Sequence, residues 1–262
     1  MTNEIARKTY RDVLGADGAA ALTPAEELAF GTVWHGSELT RRERFLTALV
    51  CIAWTNDAES MQRHAYGALA SGELSIDELL EWVLHFAVYC GWPKASTAES
   101  AITAAHDQLR ADRDEPVTEL PELDLGDVHL GLVDWDDRMA AGRETFLEVN
   151  GLPAPATNSP YRSSGIVGFV FGHLWRRPAL THRERRFITV PCVMVEGAHI
   201  PMLNHIGSAL ESGDIKKPEM DEIVATIAVY SGLDLARTTS TLAEDAWTRI
   251  SDGRGWMSAL HG

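Results

Sequence analysis

Residues 30–44 read FGTVWHGSELTRRER, and residues 171–185 read FGHLWRRPALTHRER. Phe30-Gly31 answers to Phe171-Gly172, Trp34 to Trp175, Leu39-Thr40 to Leu180-Thr181, and Arg42-Glu43-Arg44 to Arg183-Glu184-Arg185. Downstream, His64, Gly72, Tyr89 and Gly91 return as His205, Gly213, Tyr230 and Gly232, and every pair is 141 positions apart. A gap-free correspondence of this length points to duplicated domains, because solenoid units run only about 20–50 residues. Upstream, Arg7-x-Thr9-Tyr10 is echoed by Arg143-x-Thr145-Phe146 at a spacing of 136, so the second half carries five more residues (141 − 136) before its tryptophan.

The landmarks sit on helices. Thr23-Pro24-Ala25-Glu26, Thr40-x-x-Glu43, Ser75-x-x-Glu78 and Thr181-x-x-Glu184 are capping-box signatures. Behind Thr40, the residues Phe45, Leu46, Leu49, Val50 and Ala53 form an apolar stripe at helical spacing up to about Trp54. Ile5–Leu14 and Glu59–Ser71 are shorter helices closed by Gly15 and Gly72, and the helix after Ser75 runs to about Tyr89, where Gly91 and Pro93 break the chain. Pro191 falls inside the second copy of the Thr40 helix and should kink or shorten it. No stretch alternates with a period of two, so the expected fold is all-α: two tandem helical bundles of roughly five helices each. Residues 1–108 form the first domain and 138–262 the second, joined by an acidic linker over 109–137 that contains Pro116 and Pro121; residues 151–165 read as a second loop.

Composition narrows the function. The 262 residues carry a net charge of −15 with 45% hydrophobic content. Nucleic acid and anionic membrane surfaces need a basic face, so neither is an expected partner. The start Met1-Thr2-Asn3-Glu4 has no signal-peptide pattern, and the apolar run Phe187–Val195 is too short to span a bilayer. Cys51, Cys90 and Cys192 lie in apolar contexts and read as reduced core thiols, which sets the expected location as cytoplasmic.

His64 and His205 both lie on the apolar side of a short helix, where a neutral imidazole bordering a cavity can move protons. Arg44 and Arg185 each precede such a histidine by twenty residues and could clamp a carboxylate with two parallel hydrogen bonds. Arg42 reads instead as a surface ion pair. Glu43 and Glu184 are explained by the capping boxes. Trp34 and Trp175 either wall a pocket or fill the core. Neither Cys-x-x-Cys nor His-Glu-x-x-His occurs, so no metal and no cofactor are expected.

Taken together, the landmarks resemble the carboxymuconolactone decarboxylase family, whose superfamily includes the AhpD-like alkylhydroperoxidases. The first copy matches at Gly31, Trp34, Leu39, Arg41, Arg44, His64, Ala68, Leu69, Gly72, Tyr89, Gly91 and Pro93, but has Gly36-Ser37 where Arg-Pro is expected. The second keeps Arg177-Pro178, Leu180, Arg185, His205, Ala209, Leu210, Gly213, Tyr230 and Gly232, with His182 in place of the first Arg and Asp234 in place of the closing Pro. The redox thiol positions are occupied by Asp57 and Ser60, and by Ala198 and Pro201, which excludes thiol-based peroxidase chemistry.

The resemblance implies a cofactor-independent lyase that decarboxylates a small carboxylated lactone or related ring. His205 and His64 would transfer the proton. Arg185, Arg44 and Arg177 would hold anionic groups, and Trp175, Trp34, Tyr89 and Tyr230 would contact substrate. Retention of Arg177 favours the second copy as the active one. The resemblance also implies a homo-oligomer, expected as a trimer of tandem subunits. Two other readings remain open: an isomerase or cyclase of the same fold acting on a secondary metabolite, and a non-catalytic ligand-binding or scaffold protein.

Overall fold

All four capping boxes close. Thr23, Thr40, Ser75 and Thr181 each accept from the backbone N–H three residues on, while Glu26, Glu43, Glu78 and Glu184 reach back to the cap. Each such start stabilises its helix by about 1 kcal/mol. The computed structural model describes residues 2–15, 21–116 and 133–257, and among them the chain is all helical, with no strand. The first half holds α1 (Thr2–Leu14), α2 (Pro24–Gly31), α3 (Arg41–Thr55), α4 (Ala58–Ala70), α5 (Ile76–Cys90) and α6 (Trp92–Asp112). The second holds α7 (Trp135–Asn150), a π helix (Tyr161–Phe171), α8 (His182–Val195), α9 (His199–Ser212), α10 (Lys217–Tyr230) and α11 (Leu233–Ser251). Short 3-10 turns, Val33–His35 and Leu174–Arg176, carry the two landmark tryptophans.

The halves interlock. Helices α3 and α8 pack against each other, α5 lies on α8 of the other half as well as on α6, and α10 lies on α3 as well as on α11. The central helices are therefore buried almost all round, and one core cluster runs from Ala6 to Ala246 across both halves. Burying a Leu or Phe such as Leu46, Phe45 or Phe187 contributes about 1.5–3 kcal/mol each.

Several local expectations change. Pro191 does not break α8, which continues through it to Val195. The carbonyl that Pro191 cannot bond is that of Phe187, four residues earlier, and it accepts from the Thr47 hydroxyl of α3 at 3.4 Å. Gly91, at φ +96°, ends α5, but Pro93 opens another helix rather than stopping the chain. It sits in the first turn of α6, where a missing N–H has no partner to lose. Consequently 109–112 and 135–137 of the expected linker are helical; Pro121 and the rest of 117–132 lie outside the described residues. The expected loop over 151–165 gives way to the π helix at Tyr161. All three cysteines are free and buried, and burial pushes the Cys51 thiol up to about 12. Among the described residues no helix is long and apolar enough to cross a membrane.

Candidate active site

Because α5 and α10 cross over, each recurring histidine meets the tyrosine of the other half. His64 of α4 packs edge-on to Tyr230 of α10 with ring centroids 5.9 Å apart, and His205 of α9 packs edge-on to Tyr89 of α5 at 5.6 Å. The tryptophan of the histidine's own half ties the pair together: Trp34 Nε1 donates to the Tyr230 hydroxyl at 2.8 Å, and Trp175 Nε1 to the Tyr89 hydroxyl at 3.0 Å. Phe30 stacks on Trp34 and Phe171 on Trp175. Both histidines are buried on apolar helix faces, as their spacing predicts.

In the first site both ring nitrogens are bonded. His64 Nδ1 lies 2.8 Å from the Ser60 carbonyl, which can only accept, so Nδ1 carries the proton. Nε2 is then the acceptor, and the Tyr230 hydroxyl donates to it at 3.2 Å. Burial holds the His64 pKa down at about 4, so the ring is neutral at pH 7. The adjoining cavity measures about 130 Å³, and Tyr10 and Glu26, from α1 and α2, help to line it.

The second site is open. Among the described residues nothing hydrogen-bonds His205 Nδ1, so no acceptor there fixes its tautomer. His205, Tyr89 and Asn204 line a cavity of about 520 Å³ whose other walls are mainly apolar. The five extra residues of the second half precede Trp175, in the region where the π helix replaces the geometry of α2, and Ile166 and Phe169 of that helix line the cavity. Burial, reinforced by the Arg186 guanidinium, lowers the His205 pKa to about 3. Arg186 lies 5.5 Å from the Trp175 ring centroid, is bonded to Asp214 and Ser208 at 3.1 Å each, and also donates to the Val149 carbonyl. In the first half Phe45 stands in its place and packs on Trp34.

A chain of donors ends on Tyr89. Arg185 can only donate, so His85 Nδ1, 3.2 Å away, accepts, and His85 Nε2–H donates to Thr189 Oγ1 at 2.6 Å. Thr189 in turn interacts with the Tyr89 hydroxyl. The phenol oxygen accepts from Trp175, beside the cavity that Tyr89 lines. Burial raises the Tyr89 pKa to about 12, so the proton stays on at neutral pH. Around His64 the equivalent positions are Thr226 of α10 and Ala48 of α3, so the first site lacks this chain.

The candidate arginines do not line the large cavity. Arg185 and Arg177 converge on the buried carboxylate of Glu81, at 2.9 and 2.7 Å, and Arg44 pairs with Glu222 at 2.5 Å. Glu81 and Glu222 are themselves 141 residues apart. They explain the missing Arg-Pro of the first copy. There, the backbone N–H groups of Ser37, Glu38 and Leu39 bond Glu222 at 2.8–3.0 Å. A β-carbon on Gly36 would stand 2.3 Å from its Oε1. In the second copy Pro178 has no N–H to offer at the position of Ser37, and the Arg177 side chain bonds the carboxylate instead. Arg42 is an ion pair, as expected, with Glu78 and Glu184 at 2.6 Å each; Arg183 bonds Glu43 at 2.7 Å and Glu219 at 3.0 Å.

The structure brings together the histidines, tryptophans and tyrosines that sequence reading singled out, and adds Glu81, Glu222, His85, Thr189 and Arg186, which were not among its candidates. Recurrence could have flagged the two glutamates; the other three have no counterpart of their type 141 residues away. Among the described residues no group of three or more His, Cys, Asp or Glu side chains is arranged to hold a metal ion.

The carboxymuconolactone decarboxylase family model matches residues 19–104. The chain is 36% identical over 103 residues to a nitrosuccinic acid decarboxylase of Metarhizium robertsii, an alignment covering 35% of this chain and 71% of that protein. It is 24% identical over 82 residues to a 4-carboxymuconolactone decarboxylase of Acinetobacter baylyi, covering 31% of this chain and 60% of that one. With its recurring Trp-Arg-His-Tyr set placed on an all-helical frame, the chain belongs to the carboxymuconolactone decarboxylase family.

Proposed function

We propose that the protein is a cofactor-independent carboxy-lyase acting on a ring-containing carboxylic acid, with its chemistry in the cavity beside His205. The observation that carries this is the pairing there of a neutral, buried imidazole with a tyrosine hydroxyl, held by Trp175, on the wall of one cavity. In the reaction the C–CO2 bond breaks and its electron pair delocalises through the ring onto an oxygen. Tyr89 donates a hydrogen bond to that oxyanion. A substrate carboxylate beside His205 raises the imidazole's affinity for a proton, and the imidazolium then delivers the proton to carbon and is refilled from solvent. Apolar walls favour loss of the charged carboxylate as neutral CO2. Arg185 and Arg177, first considered as anion holders, act in this reading through Glu81, keeping His85 and Thr189 in line. Arg44 serves Glu222 likewise. His64, bonded by Ser60 and Tyr230, supports the frame in this reading.

The tandem arrangement gives this reading a built-in dimer, and a trimer of such chains is the assembly we propose, measurable by light scattering. An isomerase or cyclase would use the same His205–Tyr89 pair without losing carbon. The test is CO2 release from a panel of ring-containing carboxylic acids, run beside the diacids named for the relatives, 4-carboxymuconolactone and the acyclic nitrosuccinate. Stoichiometric release that is lost in His205→Ala supports the lyase; a changed product with no CO2 supports the isomerase; release unaffected by His205→Ala overturns the assignment.

A further inference from the structure

We propose that the His205 cavity takes a bulky, largely apolar monocarboxylic acid of about two fused rings and rejects small dicarboxylates. This rests on the reading of that cavity as the active site and names its substrate class. Size is the first argument. At about 520 Å³ the cavity falls within the range of roughly 300–1,000 Å³ that holds drug-sized ligands, and a single five-membered ring acid would leave most of it void. The His64 cavity, with the same histidine and tyrosine types, holds only about 130 Å³.

The walls are the second argument. Val88, Phe146, Ile166, Phe169, Val193 and Ile200 present hydrocarbon, and no lysine or arginine is among the described lining residues. The one charged lining residue, Glu196, is an anion already paired with Lys94 at 3.1 Å. Arg186, the cation that acts on His205, is buried and bonded to Asp214, Ser208 and the Val149 carbonyl. A carboxylate beside His205 and Tyr89 finds two polar partners. A second carboxylate held against the apolar walls loses water with no cation among the described lining residues to meet it. The site therefore discriminates on the number of charges as well as on bulk.

The experiment is calorimetric titration of the full chain with 2-naphthoate, naphthalene-2,6-dicarboxylate and succinate. We expect 2-naphthoate to bind at least about ten-fold more tightly than either diacid. Two variants place the ligand. A β-carbon on Gly165, which lines the cavity, meets nothing closer than 4.0 Å, so Gly165→Phe should fold normally and weaken 2-naphthoate by about ten-fold or more. Ile200 is exposed at the cavity wall, and Ile200→Lys should improve the dicarboxylate selectively by supplying the missing cation. Diacid binding as tight as that of 2-naphthoate, absence of 2-naphthoate binding, or indifference to Gly165→Phe with the fold intact would each overturn the proposal. Failure of bound acids to release CO2 would count against the lyase reading alone and leave the ligand class standing.

Discussion

His64 and His205 occupy equivalent positions, each touched by a tryptophan and a tyrosine, yet one has both nitrogens bonded beside a small cavity and the other borders a cavity four times larger. The difference lies in the neighbours. Ser60 and Tyr230 satisfy both nitrogens of His64. At His205 the tyrosine accepts from Trp175, and among the described residues nothing bonds the histidine's Nδ1. Two copies of one residue set can thus diverge in availability while keeping their frame. Motif residues alone do not locate a reactive site; the donors and acceptors around them do.

The comparison can be broken most forcefully at the glutamates. Glu81→Gln leaves two arginines buried without a carboxylate and should cost about 3–5 kcal/mol in denaturant unfolding. Glu222→Gln should cost less, because its site holds one arginine and three backbone donors and is partly exposed. Equal losses would contradict the unequal wiring. Next, His205→Ala should lower turnover by about 10²- to 10⁴-fold, whereas His64→Ala should spare turnover and cost about 1–3 kcal/mol by leaving the Tyr230 hydroxyl and the Ser60 carbonyl without their partner. A matching loss of turnover in both would show two active sites.

Acid stability gives a third test. Both histidines have folded pKa values, about 4 and about 3, below the ordinary value of 6.5. Below pH 6.5 the unfolded chain therefore binds protons that the folded chain refuses, and stability falls with pH by up to about 1.4 kcal/mol per pH unit for each ring. The loss from His64 ends near pH 4 and that from His205 near pH 3. His205→Gln should flatten the lower part of the window, and an unchanged profile would remove the buried neutral ring from the account. The smallest effect is a control: Thr40→Ala and Thr181→Ala should each cost about 1 kcal/mol, since their capping boxes are alike.

The helix starts were legible because capping is local: Thr40 and Glu43 meet wherever the helix forms. The His, Trp and Tyr set was legible through recurrence. The exchange of partners was not, because the spacing cannot say whether Tyr89 faces His64 or His205; that depends on α5 packing on α8. Pro191 misled for the same reason, since the group that satisfies the Phe187 carbonyl comes from Thr47 in the other half. The arginines looked like free anion holders because their buried partners, Glu81 and Glu222, are distant in sequence.

The most direct measurement is ¹⁵N NMR of the imidazole rings with and without 2-naphthoate. The account predicts that His64 stays in its Nδ1–H tautomer from about pH 7 to about 5 and does not respond to ligand, while the His205 ring signals move on binding. Ligand-dependent shifts at His64 with His205 unmoved would contradict it.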